Sequence, residues 1–205
     1  MKIKTLSVGE LGTNCYLVSD DEGNTAIIDP GGDFETITTA LTGLTPKAIL
    51  LTHGHFDHTG AVNALKKAYG CEVTVSVHDE EMLSDSQKNA AFLVGAVTEP
   101  ITAENLIDDG DTVKVGALEF AVIATPGHTK GCVTYKIKDK LFTGDTLFRG
   151  TVGRCDLYGA NPVSLIRSLQ KLAELEGDYE VFAGHDRKTT LEYERQTNHY
   201  LRTKK

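Results

Sequence analysis

The chain is 205 residues long, a length one domain can hold, because single cores grow to roughly 250 residues before chains divide. Hydrophobic residues make up 40% and charged residues 24%, and no apolar run approaches the roughly 18 residues of a membrane-spanning helix. The 21 Lys and Arg against 29 Asp and Glu leave a net charge of −8, and the basic residues are scattered. That argues against a nucleic-acid surface and leaves any anionic substrate to find a local basic pocket.

The N-terminus, Met1-Lys2-Ile3-Lys4-Thr5, has no apolar leader, so a cytoplasmic protein is expected. Short β-type runs follow at Ile3 to Val8, Cys15 to Val18 and Thr25 to Asp29, separated by Gly9, Gly12 and the turn Asp20 to Asn24. The third run ends in Asp29-Pro30-Gly31-Gly32, after which Asp33 is expected to cap a helix over 34–42. Ala48 to Leu51 reads as a buried strand leading into Thr52-His53-Gly54-His55-Phe56-Asp57-His58. Ala61, Leu65 and Ala68, with Val62 and Tyr69, then recur every three or four residues, the mark of an amphipathic helix that ends at Gly70.

Val73, Val75 and Val77 alternate with Thr74 and Ser76 in a strand over 71–77, and the polar stretch 78–110 carries helical pieces around 79–84 and 87–94. Strands resume at Thr112 to Val115, Glu119 to Ala124, Cys132 to Lys136 and Lys140 to Thr143. Asn161 and Pro162 supply an N-cap and first residue for a helix whose apolar face is Leu165, Ile166, Leu169, Leu172 and Ala173. Tyr179 to Ala183 is a last strand and 189–202 a closing helix. No linker interrupts this order, so a single α+β domain over 1–205 is expected, with two packed sheets and helices outside. Cys15, Cys71, Cys132 and Cys155 are widely separated and read as buried thiols rather than a disulfide framework or cysteine-ligated zinc.

The segment 53–58 places three histidines and an aspartate in one loop at a strand end. Imidazole and carboxylate suit Zn, Fe and Mn, and a rigid sheet can aim them at one point. Three further strands exit into Gly127-His128, Gly144-Asp145 and Gly184-His185. Alone, each of these would read as a turn residue. Together with the first loop they give seven candidate ligands, His53, His55, Asp57, His58, His128, Asp145 and His185. Seven exceed the four of one tetrahedral ion but suit two ions with a shared carboxylate and a shared solvent molecule. His78 and His199 lack the strand-and-glycine context and are assigned to solvent or packing.

The set His53-x-His55-x-Asp57-His58, then His128, Asp145 and His185, resembles the metallo-β-lactamase superfamily from Asn14 to about Leu201. The resemblance implies an αββα sandwich, with His53, His55 and His128 on one metal, Asp57, His58 and His185 on the other, and Asp145 between. It implies Asp57 and Asp145 as catalytic residues, Asp29 as an acid steadying the ligand histidines, and two divalent ions, zinc first, with iron or manganese acceptable.

Within the superfamily, Asn14-Cys15-Tyr16, Thr125-Pro126-Gly127-His128-Thr129-x-Gly131 and Phe142 to Phe148 resemble the glyoxalase II group, hydrolases of S-lactoylglutathione. His58 stands where the commonest β-lactamase subclass carries a different residue, which disfavours a β-lactamase. The chain departs from full-length glyoxalases in ending about 20 residues after His185, without their basic C-terminal helical region, and in Thr151-Val152-Gly153-Arg154-Cys155-Asp156, where Asp156 replaces a Tyr. That last segment equally resembles the iron-dependent persulfide dioxygenases. The expected substrate is a small thioester or thiol-derived molecule, hydrolysed by a metal-activated hydroxide, with no nucleic-acid or membrane partner and no oligomeric state indicated. Arg154, Arg187 and Lys188 are the candidate substrate contacts, Arg149 a weaker one, and Tyr158 a possible pocket wall.

Overall fold

Alternation along the strands explains the layering in the computed structural model, which describes residues 1–201. In β2 (Thr13–Ser19), Cys15 and Leu17 face one way and Tyr16 and Val18 the other. β3 (Asn24–Ile28) repeats this with Ile27 against Ala26 and Ile28. Successive strand side chains point to opposite faces, so a strand apolar at every position must be covered on both. The first face packs on Ile37 of α1 (Phe34–Ala40) and on Val62 and Leu65 of the later helix 62–69. The second meets Phe120, Tyr135, Phe142 and Phe182 of a second sheet. That sheet's outer face, with Leu141 and Val181, is covered by Leu165, Leu169 and Leu172. The result is the expected αββα sandwich of three apolar layers.

The first sheet is completed by β1 (Lys2–Val8), β4 (Thr45–Leu50), β5 (Glu72–Ser76) and β6 (Asn105–Ile107), in the order β1-β2-β3-β4-β5-β6. Its helices α2 (Phe56–Thr59) and α3 (Val62–Tyr69) both follow β4. The second sheet contains β7 (Thr112–Val115), β8 (Leu118–Ala124), β9 (Val133–Ile137) and β10 (Lys140–Gly144), then, after a small hairpin of β11 (Leu147–Phe148) and β12 (Thr151–Val152) and helix α4 (Pro162–Ala173), β13 (Glu180–Ala183) and β14 (Thr189–Thr190). Its order is β14-β13-β10-β9-β8-β7, and helix α5 (Leu191–Thr197) closes the described chain.

Several expectations shift. Asp33 stands at the N-cap of α1 but does not cap it; its carboxylate accepts from the Gly9 amide at 2.9 Å instead. The helix expected beside the His-rich loop is two, with Asp57 inside the first. The pieces at 79–84 and 87–94 are 3-10 turns, Glu80–Ser84 and Ala91–Val94. The closing helix is shorter than 189–202, because Thr189 and Thr190 pair with β13 and the helix ends before Asn198; residue 202 lies outside the described residues. On α4, Ile166 is 38% exposed and Ser168 is buried in its place. Cys155 is half-buried, whereas the other three thiols are buried as expected.

The sheets are tied at one edge. Asn14 Nδ2 on β2 donates to the carbonyls of Ala183 (3.0 Å) and Asp186 (2.8 Å), and Tyr16 Oη donates to Ala183 O. This is the work of the Asn-Cys-Tyr motif, and it lies beside the seven candidate ligands.

Candidate metal centre

All seven candidate ligands leave the C-terminal ends of strands at this edge. β3 and β4 are parallel, as are β10 and β13, so Asp29 lies beside Thr52 and Asp145 beside His185. The backbone is shaped to allow this. Asp29 takes φ 50°, a left-handed conformation that non-glycine residues hold only where surroundings enforce it. At Gly184 a Cβ would lie 2.2 Å from Asp145 Oδ1 and 2.8 Å from His58 Cε1, so only glycine lets that strand end pass the ligands.

Hydrogen bonds behind the histidines set their tautomers. Thr52 donates to Asp29 through its amide (2.8 Å) and hydroxyl (2.6 Å), and His58 Nδ1 donates to Asp29 Oδ2 at 3.0 Å. With its hydrogen already given, the Thr52 hydroxyl accepts from His53 Nδ1 at 3.1 Å. His128 Nδ1 donates to the Arg154 carbonyl at 2.8 Å. Each of these rings carries its hydrogen on Nδ1 and offers the Nε2 lone pair to the interior. His55 faces inward with Nδ1, 3.1 Å from His53 Nε2 and 2.9 Å from His128 Nε2. One shared proton cannot satisfy three lone pairs; one cation can.

Beside this trio, His58 Nε2 lies 3.5 Å from Asp57 Oδ2 and 3.4 Å from Asp145 Oδ1, and His185 Nε2 lies 3.2 Å from Asp57 Oδ2. Asp145 Oδ2 is 3.4 Å from His128 Nε2 and 3.7 Å from His185 Nε2, so this carboxylate stands between the groups. The donors form three overlapping sets, His53/His55/His128, His53/His58/Asp145 and Asp57/His58/His185, each with its ligand atoms within 4.8 Å of one another.

The electrostatics divide the same way. Burial, reinforced by the neighbouring His128, pushes His55 down to about 3, and burial with the surrounding histidines holds His53 well below its usual value. Burial opposes charge on His58 as well, yet Asp57, Asp145 and Asp29 outweigh it and hold the ring well above the usual range. Asp57 and Asp145 stay below the normal carboxylate range, because His58 overcomes the cost of their burial. His53 and His55 therefore resist charge, whereas the carboxylates of Asp57 and Asp145 gather around His58. His58 Nε2 and Asp145 Oδ1 are buried with no hydrogen-bond partner among the described residues, and so is His55 Nε2. Such atoms cost about 1–3 kcal/mol each when left unpaired. Nitrogen and carboxylate donors converging around the inward-facing His58 Nε2 and Asp145 Oδ1 fit divalent Zn, Fe or Mn.

The layered fold with this His and Asp cluster at its sheet edge defines a metal-dependent hydrolase. Residues 8–185 match the family model of the metallo-beta-lactamase superfamily, and the chain belongs to that superfamily. The structure of BLEG-1 B3 metallo-beta-lactamase is 36% identical, covers 98% of this chain and 99% of that one, and superposes with a TM-score of 0.94. TTHA1623 in a di-iron-bound form is 38% identical, with 97% and 100% covered and a TM-score of 0.88. Among curated sequences, hydroxyacylglutathione hydrolase GloC of Haemophilus influenzae is 35% identical over 211 residues, 100% of both chains.

The expected substrate cations are placed differently from one another. Arg154 is held by Asp156 through two bonds, of 2.6 and 2.9 Å, so what it lends the site is its carbonyl. Lys188 pairs with Glu180 at 2.9 Å. Arg187 lines a cavity of about 570 Å³ with Arg149, Gly150, Asp186 and Tyr193, and neither arginine has an acidic partner among the described residues. Tyr158 donates to Glu81 at 2.8 Å. His78 is exposed beside Asp108 and His199 meets Tyr200 edge to face, both outside the cluster.

Sequence reasoning missed Asp79. It is fully buried and joins the His53/His55 loop to the His128 loop. The signal that found the candidate ligands, a His or Asp just past an apolar strand, was present in Val73-Val75-Val77 followed by Asp79.

Proposed function

We propose that this protein is a dinuclear metallohydrolase of glyoxalase II type, acting on a thioester whose thiol half carries a carboxylate. The observation that carries the reading is the pair of ligand groups joined by Asp145, set in a chain resembling GloC along its whole length. His53, His55 and His128 would hold one ion, Asp57, His58 and His185 the other, and Asp145 would bridge. Zinc is the first candidate, and the di-iron form of TTHA1623 supports testing iron beside it. When bound, such a pair supplies hydroxide at neutral pH and polarises a carbonyl.

The chain's own residues do the rest. Asp29 and the Arg154 carbonyl keep the imidazole lone pairs aimed inward. Asp57 and Asp145 balance the positive charge and fix where it sits, and the Thr13 hydroxyl steadies Asp57 at 3.2 Å. A thiolate leaving group has a free pKa of about 8.5 and departs with little protonation, so no separate general acid is needed. Arg149, whose guanidinium lies over the Tyr193 ring, and Arg187 share a cavity with Asp186, the residue after His185, and are the cations suited to a substrate carboxylate.

Metal analysis and S-lactoylglutathione turnover test this. Two ions per chain are expected, with hydrolysis lost on chelation and restored by metal. One iron per chain with oxygen uptake on glutathione persulfide would replace the reading with a dioxygenase. The resemblance to BLEG-1 supports a second reading, β-lactam hydrolysis, since His58 separates the chain only from the commonest β-lactamase subclass; turnover of β-lactams without thioesters would favour it.

A further inference from the structure

Asp79 stands at the start of the 3-10 turn Glu80–Ser84, where an aspartate ordinarily caps its own turn, yet it makes no capping bond. All three of its side-chain hydrogen bonds cross to ligand loops. Oδ2 accepts from the Gly54 amide at 3.0 Å and from the Thr129 hydroxyl at 2.6 Å, and Oδ1 accepts from the Gly131 amide at 2.7 Å. Gly54 lies between His53 and His55, and Thr129 follows His128 directly, so one carboxylate grips both loops of the three-histidine group. Both loops reach it through glycine: a Cβ on Gly131 would lie 2.6 Å from the Asp79 carboxyl carbon, and one on Gly54 would lie 2.7 Å from Met82 Cβ.

Charge points the same way. Asp57, Asp145 and Asp29 surround His58, whereas His53, His55 and His128 bring no negative charge of their own. Asp79 supplies a buried anion behind them. Burial raises its carboxyl pKa, while the Gly54 and Gly131 amides, which can only donate, and the Thr129 hydroxyl favour the charged form.

We propose that Asp79 is a positioning residue for the three-histidine ion: it clamps the 53–55 and 128–131 loops so that their nitrogens converge, and it strengthens cation binding there rather than at the Asp57/His58/His185 group. This rests on the dinuclear reading above. Asp29 does related work at His58 and, through the Thr52 hydroxyl, at His53, so its loss touches both ions where that of Asp79 touches one.

Cobalt(II) titration of metal-free protein against a competing chelator tests it, with Asp79→Asn compared to His128→Ala and His185→Ala. Asp79→Asn is expected to keep the wild-type far-UV spectrum and to weaken one of two cobalt ions by about 10–100-fold, the usual effect of losing a partner behind the ligands. The spectrum of the ion that remains should match His128→Ala and not His185→Ala. Thr129→Val, which removes one bond and keeps the charge, should shift the same ion by less. Two ions held as tightly as in wild type, or both weakened equally, would overturn the assignment. Should Asp79→Asn not fold, Thr129→Val and Gly131→Ala decide by the same criterion. Wild-type protein that retains no cobalt would instead remove the dinuclear reading itself.

Discussion

Replacing Asp29 separates holding the fold from aiming the ligands. Its carboxylate accepts the Thr52 amide, the Thr52 hydroxyl and His58 Nδ1, all buried. Asp29→Gly suits φ 50° but leaves the amide and the ring N–H without acceptors, while the hydroxyl can turn elsewhere. At about 1–3 kcal/mol for each orphaned donor, the metal-free protein should lose about 2–6 kcal/mol, a large part of the roughly 5–15 kcal/mol available to a domain. Asp29→Asn behaves differently. Its oxygen can keep the Thr52 amide, and its NH2 then faces His58 Nδ1 and the Thr52 hydroxyl, which accommodate it only by reversing: His58 moves its hydrogen to Nε2, and the hydroxyl turns to donate to His53 Nδ1. Both inward lone pairs become N–H groups that cannot bind a cation. Asp29→Asn should therefore stay within about 2 kcal/mol of wild type in urea denaturation, the scale of one altered hydrogen bond, yet lose at least tenfold in cobalt affinity at both ions. Wild-type cobalt affinity in Asp29→Asn, or Asp29→Gly within about 1 kcal/mol of wild type, would refute this reasoning, since each orphaned donor alone should exceed that.

Other expectations follow from single contacts. Gly184→Ala drives a methyl into Asp145 Oδ1 and His58, so metal retention should fall sharply while circular dichroism still reports a folded chain. In the outer layer Leu169 is fully buried and Ile166 is 38% exposed; thermal melts should show Leu169→Ala losing about 2–5 kcal/mol and Ile166→Ala under about 1 kcal/mol. Asp20 accepts from the amides of Glu22, Asn24 and Ala117, and its carboxyl is lowered to about 2, chiefly by the Ala117 bond. A depressed folded-state value stabilises above the unfolded pKa of about 3.9, so denaturation midpoints should fall as pH drops from about 4 to 2, and less so in Asp20→Asn. In steady-state kinetics, Arg149→Gln with Arg187→Gln should raise KM for a carboxylate-bearing thioester at least tenfold, about 1.4 kcal/mol, and leave a neutral thioester unchanged.

The cluster of seven candidate ligands and the two-sheet architecture were legible because their signals are local. A β-type run such as Cys15 to Val18, the order of strands then helix in each half, and a His or Asp with glycine past each of four strands need only a few neighbours in sequence. β6, the 147–152 hairpin and β14 carried no such signal, as strands of two or three residues exist only through the partner that pairs with them.

By itself, then, the sequence determined which side chains could meet and which layers would form, because strand period and loop composition are written over short spans. Only the tertiary structure decided which partners they meet. Arg154 turned to Asp156 and Lys188 to Glu180, leaving Arg187 with Arg149, and Asp79 reached loops 25 and 52 residues away. Those outcomes depend on distances across the closed sandwich, where a buried acid must take whatever donors the packing brings to it.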